Sequence, residues 1–148
     1  MFSKFWNLNF TGLPKFILIL INVSYNKFIE GLNSILWICN LDKCGSNCVI
    51  QKGVTIRYPR NIYFGDNISI GRNVEIFSEC STGKLIVGSN TNINKNTQID
   101  FTGDLTIGNN VLISETTVII THDHGYDPKS KPVKKSLFIE DNVWIGQN

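Results

Sequence analysis

At 148 residues, with 42% hydrophobic content, the chain is large enough for one domain with a packed core. A formal net charge of +2 gives no bias toward an acidic partner. No arginine-rich stripe or RNA-type aromatic motif appears, so nucleic acid is not an expected partner.

Residues 1–43 form the first segment in chain order. Its run Phe16-Ile17-Leu18-Ile19-Leu20-Ile21 is interrupted by Asn22, Ser24, Asn26, Lys27 and Glu30. That is too short to span a bilayer. Lys4 and Lys15 with that run resemble the start of a signal peptide, yet no small-x-small cleavage site follows. Ile21, Tyr25, Phe28, Leu32 and Leu36 recur at helical spacing, which predicts a helix. Its expected role is to cap the open first coil of the domain that follows; peripheral membrane contact is the alternative.

From residue 44 to residue 148 an aliphatic or similar apolar residue returns every six positions. The series runs Cys44, Ile50, Ile56; Phe64, Ile70, Ile76; Val87, Ile93, Ile99; Ile107, Ile113, Ile119; Ile139, Ile145. A Gly-x-Asn tripeptide recurs beside it, as in Gly65-Asp66-Asn67, Gly88-Ser89-Asn90 and Gly108-Asn109-Asn110. A six-residue period with one inward aliphatic predicts an all-β chain, a parallel β-helix. Glycine and asparagine supply the positive-φ corners.

Coil starts at 44, 64, 87, 107 and 139 lie 20, 23, 20 and 32 residues apart. Three hexapeptides need about eighteen. The excess is expected at one corner, near residues 60–63, 82–86, 101–105 and 122–137. Stacked insertions are where repeat proteins usually place a binding face. The longest excursion is therefore the place to look for chemistry.

Cys44, Cys48 and Cys80 fall in aliphatic slots of the repeat and read as small core fillers. A C-x3-C spacing without a second ligand pair is weak evidence for zinc, and no metal is expected. Unbridged thiols fit a cytoplasmic protein. The two histidines of the chain, His122 and His124, stand at the mouth of the longest excursion, Thr121-His122-Asp123-His124-Gly125-Tyr126-Asp127-Pro128. Histidine exchanges protons near neutral pH, which makes this pair the candidate site. Lys129, Lys131, Lys134 and Lys135 make the loop basic, suited to phosphate groups or an acidic glycan.

The pattern of Asn96-x3-Asp100, the coil Ile107 to Ile113, the histidine loop and Ile139-Glu-Asp-Asn-Val-Trp-Ile-Gly146 resembles the hexapeptide-repeat acyltransferases. Within them it is most similar to the galactoside, maltose and nodulation-factor acetyltransferases and the polysaccharide O-acetyltransferases. The resemblance covers roughly residues 44–148. It implies a left-handed β-helix, a homotrimer, acetyl-CoA as acyl donor and a site between subunits. It also implies His124 as the catalytic base, with His122 orienting the loop or touching the acceptor. Asn96, Asp100 and Trp144 would line the acceptor pocket, although Asn96 and Asp100 can equally be corner residues and Trp144 a core residue. Zinc-dependent β-helical carbonic anhydrases use three histidines, and this chain has two. Family members continue with further coils past Trp-Ile-Gly, so the resemblance implies a domain incomplete at its C-terminus.

The expected function is acetyl-CoA-dependent O-acetylation of a sugar hydroxyl in surface polysaccharide biosynthesis, such as O-antigen or capsule. The location would be cytoplasmic, at the inner face of the membrane. A xenobiotic or nucleotide-sugar acetyltransferase and an inactive β-helix remnant are the alternatives.

Overall fold

An inward aliphatic at every sixth position lets each flat face of a triangular coil bury one or two side chains. The computed structural model describes residues 15–127 and 129–147 and has this arrangement. The start of the N-terminal segment, including Lys4, lies outside the described residues, as do Pro128 and Asn148. Short parallel strands stack from coil to coil into a left-handed β-helix, preceded by the helix α1 (Lys15–Ile38).

One face stacks β1 (Lys43–Cys44), β4 (Ile62–Phe64), β7 (Leu85–Val87), β10 (Leu105–Ile107) and β15 (Leu137–Ile139). A second stacks β2 (Val49–Ile50), β5 (Ser69–Ile70), β8 (Asn92–Ile93), β11 (Leu112–Ile113) and β16 (Trp144–Ile145). A third stacks β3 (Thr55–Ile56), β6 (Glu75–Phe77), β9 (Gln98–Asp100) and β12 (Val118–Ile119).

The register places like on like. Ile50, Ile70, Ile93, Ile113 and Ile145 form one column, and Ile56, Ile76, Ile99 and Ile119 another. Ile50, Ile70, Val74, Ile93, Ile107, Val111 and Ile113 are all buried, as the period predicts. Each such side chain contributes roughly 1.5–3 kcal/mol of burial. A slip by one residue would turn the whole column to solvent.

Asparagines hold the corner after the first face. Asn47, Asn67, Asn90, Asn110 and Asn142 all adopt positive φ. Each donates its side-chain amide to the oxygen of the next, at 3.1, 2.9, 3.2 and 3.1 Å. Asn73 and Asn96 repeat the device at the second corner, 3.2 Å apart. Asparagine tolerates the left-handed region better than most residues and also supplies the ladder.

The third corner carries every excursion, as the spacing predicts, but the excursions are residues 57–61, 78–84, 101–104 and 120–136. All four end earlier than the hexapeptide count places them, and all but the third also begin earlier. The cause is that β4, β7 and β10 bury two residues each, Ile62 with Phe64, Leu85 with Val87 and Leu105 with Ile107. The strand therefore starts two residues before the position counted as the coil start.

Helix α1 lies against β2, and polar residues make the join. Ser34 accepts from the Ile50 N–H and donates to the Ile50 carbonyl, both at 2.9 Å. Asn33 donates to the carbonyls of Ile50 and Gln51 at 3.0 and 2.8 Å. These side chains satisfy an edge strand that would otherwise be open. The stripe Ile21, Tyr25, Phe28, Leu32 and Leu36 does not pack on the coil; all five are exposed. Among the described residues no helix is long and apolar enough to cross a membrane.

Candidate functional site

Three successive coils deliver their chemistry to the insertion corner. Glu79 follows β6, Asp100 ends β9, and His122 follows β12. Parallel stacking of these strands makes neighbours of residues more than twenty positions apart. The longest excursion folds back as a hairpin, β13 (His122–Asp123) against β14 (Val133–Lys134), with Gly125 at a φ of 62° in its turn. Its base is pinned at Gly103, whose N–H donates to the Thr121 hydroxyl at 2.9 Å. A Cβ at Gly103 would lie 2.2 Å from the Thr121 carbonyl oxygen, so only glycine lets the two excursions approach this closely.

Asp100 is fully buried and every contact to its carboxylate is a donor. Thr121 gives its N–H and its hydroxyl, both at 2.8 Å, and Thr102 gives its N–H at 3.1 Å and its hydroxyl. His122 adds Nδ1 at 2.8 Å. Burial pushes this carboxyl up, but the bonds from Thr102, His122 and Thr121 together outweigh it and leave it below the usual carboxylate range. An ionised carboxylate only accepts, so His122 carries a proton on Nδ1, which leaves Nε2 as the ring nitrogen that faces Glu79.

His124 reaches the same tautomer by another route. Its Nδ1 lies 2.8 Å from the carbonyl oxygen of Ser130, which can only accept. The Ser130 hydroxyl donates back to the His124 carbonyl at 2.6 Å and closes the loop. The Ser130 carbonyl raises the affinity of His124 for a proton, burial opposes it, and the negative charges of Glu79 and Asp123 add to it. The net result is a value above that of an ordinary imidazole.

Both rings turn Nε2 toward Glu79, at 3.3 Å for His122 and 3.1 Å for His124. The rings meet edge to face with centroids 5.2 Å apart. The His122 side chain is 9% exposed and that of His124 29%, so His124 stands nearer the mouth. A groove of about 470 Å³ along the outer side of β3 and β6, lined by Thr55, Arg57, Glu75 and Phe77, ends at Glu79.

The structure thus brings together His122, His124 and Asp100. It places Asn96 elsewhere, at the second corner with a φ of 58° and its side chain in the asparagine ladder. Trp144 is elsewhere too, on the outer side of the second face and 73% exposed. Its indole N–H donates to the Ser114 hydroxyl at 2.9 Å, so it is not a core residue.

Cys44 and Cys48 pack against the core as half-buried fillers, and burial together with Cys48 pushes the Cys44 thiol up to about 12. Cys80 departs from the expectation: it sits in the second excursion rather than in the core. There Lys134 is foremost in drawing its thiol below the usual value. All four cysteines are unbridged. Lys134 also donates to the Thr82 hydroxyl at 2.6 Å, tying the hairpin to that excursion.

Glu79 was not visible in the sequence as a functional residue. It lies in an excursion with no motif around it, and only its place one coil below Asp100 could have singled it out.

The chain is similar to two curated proteins, each named Bifunctional protein GlmU. That of Carboxydothermus hydrogenoformans is 32% identical over 75 residues, which is 50% of this chain and 16% of the relative. That of Thermosipho melanesiensis is 33% identical over 95 residues, 56% of this chain and 19% of the relative. The chain thus spans less than a fifth of the length of either. No protein-family model matches the chain, and no solved structure matches it significantly. Together with the stacked coils, these likenesses support kinship with the hexapeptide-repeat acyltransferases at a coarse level and single out no branch among them.

Proposed function

We propose that this protein is an acetyltransferase that moves an acetyl group from acetyl-CoA to a sugar hydroxyl, with His124 as general base. The observation that carries the reading is the contact between His124 Nδ1 and the Ser130 carbonyl. It commits Nδ1 as donor, so Nε2, at the mouth of the loop, is the ring nitrogen left to exchange a proton with an acceptor.

The thioester of acetyl-CoA supplies the activated acetyl group. His124 Nε2 takes the proton of the acceptor hydroxyl as the oxygen bonds to the acyl carbon. It then gives that proton to the departing thiol sulfur. Proton and acetyl group are both accounted for, and the imidazole ends as it began. Asp100 acts at one remove: it fixes the His122 ring, which packs edge-on against His124. The groove along β3 and β6 reaches Glu79, the residue that His124 faces, and has the polar lining, Thr55, Arg57 and Glu75, that suits a hydroxyl-rich acceptor. Lys129, Lys131 and Lys135, all exposed on the hairpin, are suited to the phosphates of coenzyme A.

A surface-polysaccharide precursor is the acceptor class favoured by the sequence resemblance, and the same resemblance favours a trimer. Exposed Val118, Ile120, Phe138 and Trp144 would give such an assembly apolar surface to cover. Asn96 and Trp144, remote from the histidines within one chain, would then contact acceptor or donor only across a subunit boundary.

Incubation with acetyl-CoA and a panel of sugars and sugar amines tests the reading, with free thiol followed by a chromogenic disulfide and product by mass. Thiol release that depends on a hydroxyl acceptor and yields its acetyl ester is the expected result. Transfer only to amines would contradict the hydroxyl assignment, and no acceptor-dependent release would contradict transferase activity.

A further inference from the structure

We propose that Glu79, His122 and His124 form a three-ligand site for a divalent transition metal of the zinc type. Nothing in this step depends on the transfer reading.

The argument starts from lone pairs. Asp100 and the Ser130 carbonyl each take a proton from Nδ1 of one histidine, so Nε2 is the nitrogen each ring has left to give a metal. Both Nε2 atoms face the oxygens of Glu79, at 3.3 and 3.1 Å. A carboxylate has no proton to give, so the three groups converge favourably only when a cation stands between them. That cation is either a proton on the rings or one metal ion shared by all three.

Geometry favours the shared cation. The ligand atoms of Glu79, His122 and His124 lie within 4.8 Å of one another. Bonds of about 2.0–2.1 Å at tetrahedral angles require ligand separations of about 3.4 Å. The contacts of 3.3 and 3.1 Å to Glu79, one to each of its oxygens, are close to this, and a small turn of the carboxylate with a change in the distance between the imidazoles would complete the set. Half-exposed Glu79 and the hairpin are free to make that adjustment, since neither is part of a stacked strand face.

The surroundings are also those of a metal site. A metal-bound histidine characteristically donates its other N–H to a carboxylate or a backbone carbonyl, which fixes ring and tautomer. Asp100 does this for His122, and Ser130 does it for His124. Two imidazoles and one carboxylate suit zinc, and they leave a fourth position open toward solvent. Cys80 is close in sequence to Glu79 but is not among the grouped ligands.

A metal in this position takes the Nε2 lone pairs. Occupancy and base catalysis by His124 therefore exclude each other.

Calorimetric titration of zinc chloride into the chelator-stripped full chain at neutral pH tests the site with no acyl donor present. The site predicts one zinc per chain with a dissociation constant in the micromolar range or tighter. Cobalt(II) in its place should give visible d–d absorption of tetrahedral intensity without a sulfur charge-transfer band. Glu79→Gln and His124→Ala, both at partly exposed positions, should each weaken binding at least tenfold while the far-ultraviolet spectrum stays unchanged. Asp100→Asn should weaken it by about 10- to 100-fold through the His122 ring. Cys80→Ser should bind as the parent does. Absence of stoichiometric binding by the folded parent would overturn the proposal. So would unchanged affinity in both Glu79→Gln and His124→Ala, or loss of binding in Cys80→Ser alone. Transfer assayed in excess chelator is read separately, so a negative titration leaves it untouched.

Discussion

Asp100 does two jobs with one carboxylate. It collects donors from Thr102, Thr121 and His122 in a place without solvent, which makes it structural, and it sets the tautomer of His122. Asp100→Ala leaves those donors unpaired and should cost about 3–5 kcal/mol, read as a lower urea midpoint at pH 7. Its folded pKa is depressed, so its contribution to stability is present above the unfolded value of about 3.9. That contribution disappears as pH falls through the lower folded value. Between pH 5 and pH 2 the parent should therefore lose more stability than Asp100→Asn; parallel losses would show that the charge does not matter.

His124 predicts a different profile. Its proton affinity is raised, so in excess chelator the acid limb of kcat/KM should lie above the ordinary imidazole value of about 6.5. Glu79→Gln removes one source of the increase and should move that limb down. An acid limb unmoved by Glu79→Gln would mean that the two groups do not interact in solution.

How much of the site was legible differs residue by residue. His122, His124 and Asp100 stand at positions the resemblance names, and the fold brings them together. Glu79 was invisible because its role comes from stacking, which a linear motif does not record. Asn96 and Trp144 fit the same motif yet sit far from the histidines in a single chain.

At the level of elements, the corner ladders convert a side-chain preference into fold specificity. Asn90 has a φ of 58° and bonds to both Asn67 and Asn110. Asn90→Ala should cost about 2–3 kcal/mol, from the left-handed penalty and the lost amide bonds. Asn90→Gly avoids the first part and should cost about 1 kcal/mol less. Equal losses by thermal unfolding would assign the whole effect to the ladder.

The helix shows where periodicity falls short. Its apolar stripe is regular, but the helix docks through other residues: Asn33 and Ser34 bond to the β2 edge, and Trp37 and Ile38 pack against the core. The hexapeptide count likewise located the corner of every excursion and missed the boundaries, because a second inward residue before Phe64, Val87 and Ile107 leaves no mark in a period of six.

For the whole molecule, each coil rests only on its neighbours, so loss at one level propagates along the stack. Ile113 is fully buried between Ile93 and Ile145. Ile113→Ala should cost about 2–5 kcal/mol, and its urea midpoint should fall without a change in slope. The histidine cluster depends on the same stacking, since its members come from three different coils and one hairpin.

Steady-state transfer by His124→Ala and His122→Ala, measured beside the parent in excess chelator, tests the central claim most directly. His124→Ala should lower kcat by about two to four orders of magnitude with unfolding unchanged, as loss of a general base does. His122→Ala should cost less, because that ring positions its neighbour rather than taking the proton. The reverse ranking would move the base to the His122–Asp100 pair, and full activity in both variants would show that transfer does not use this corner at all.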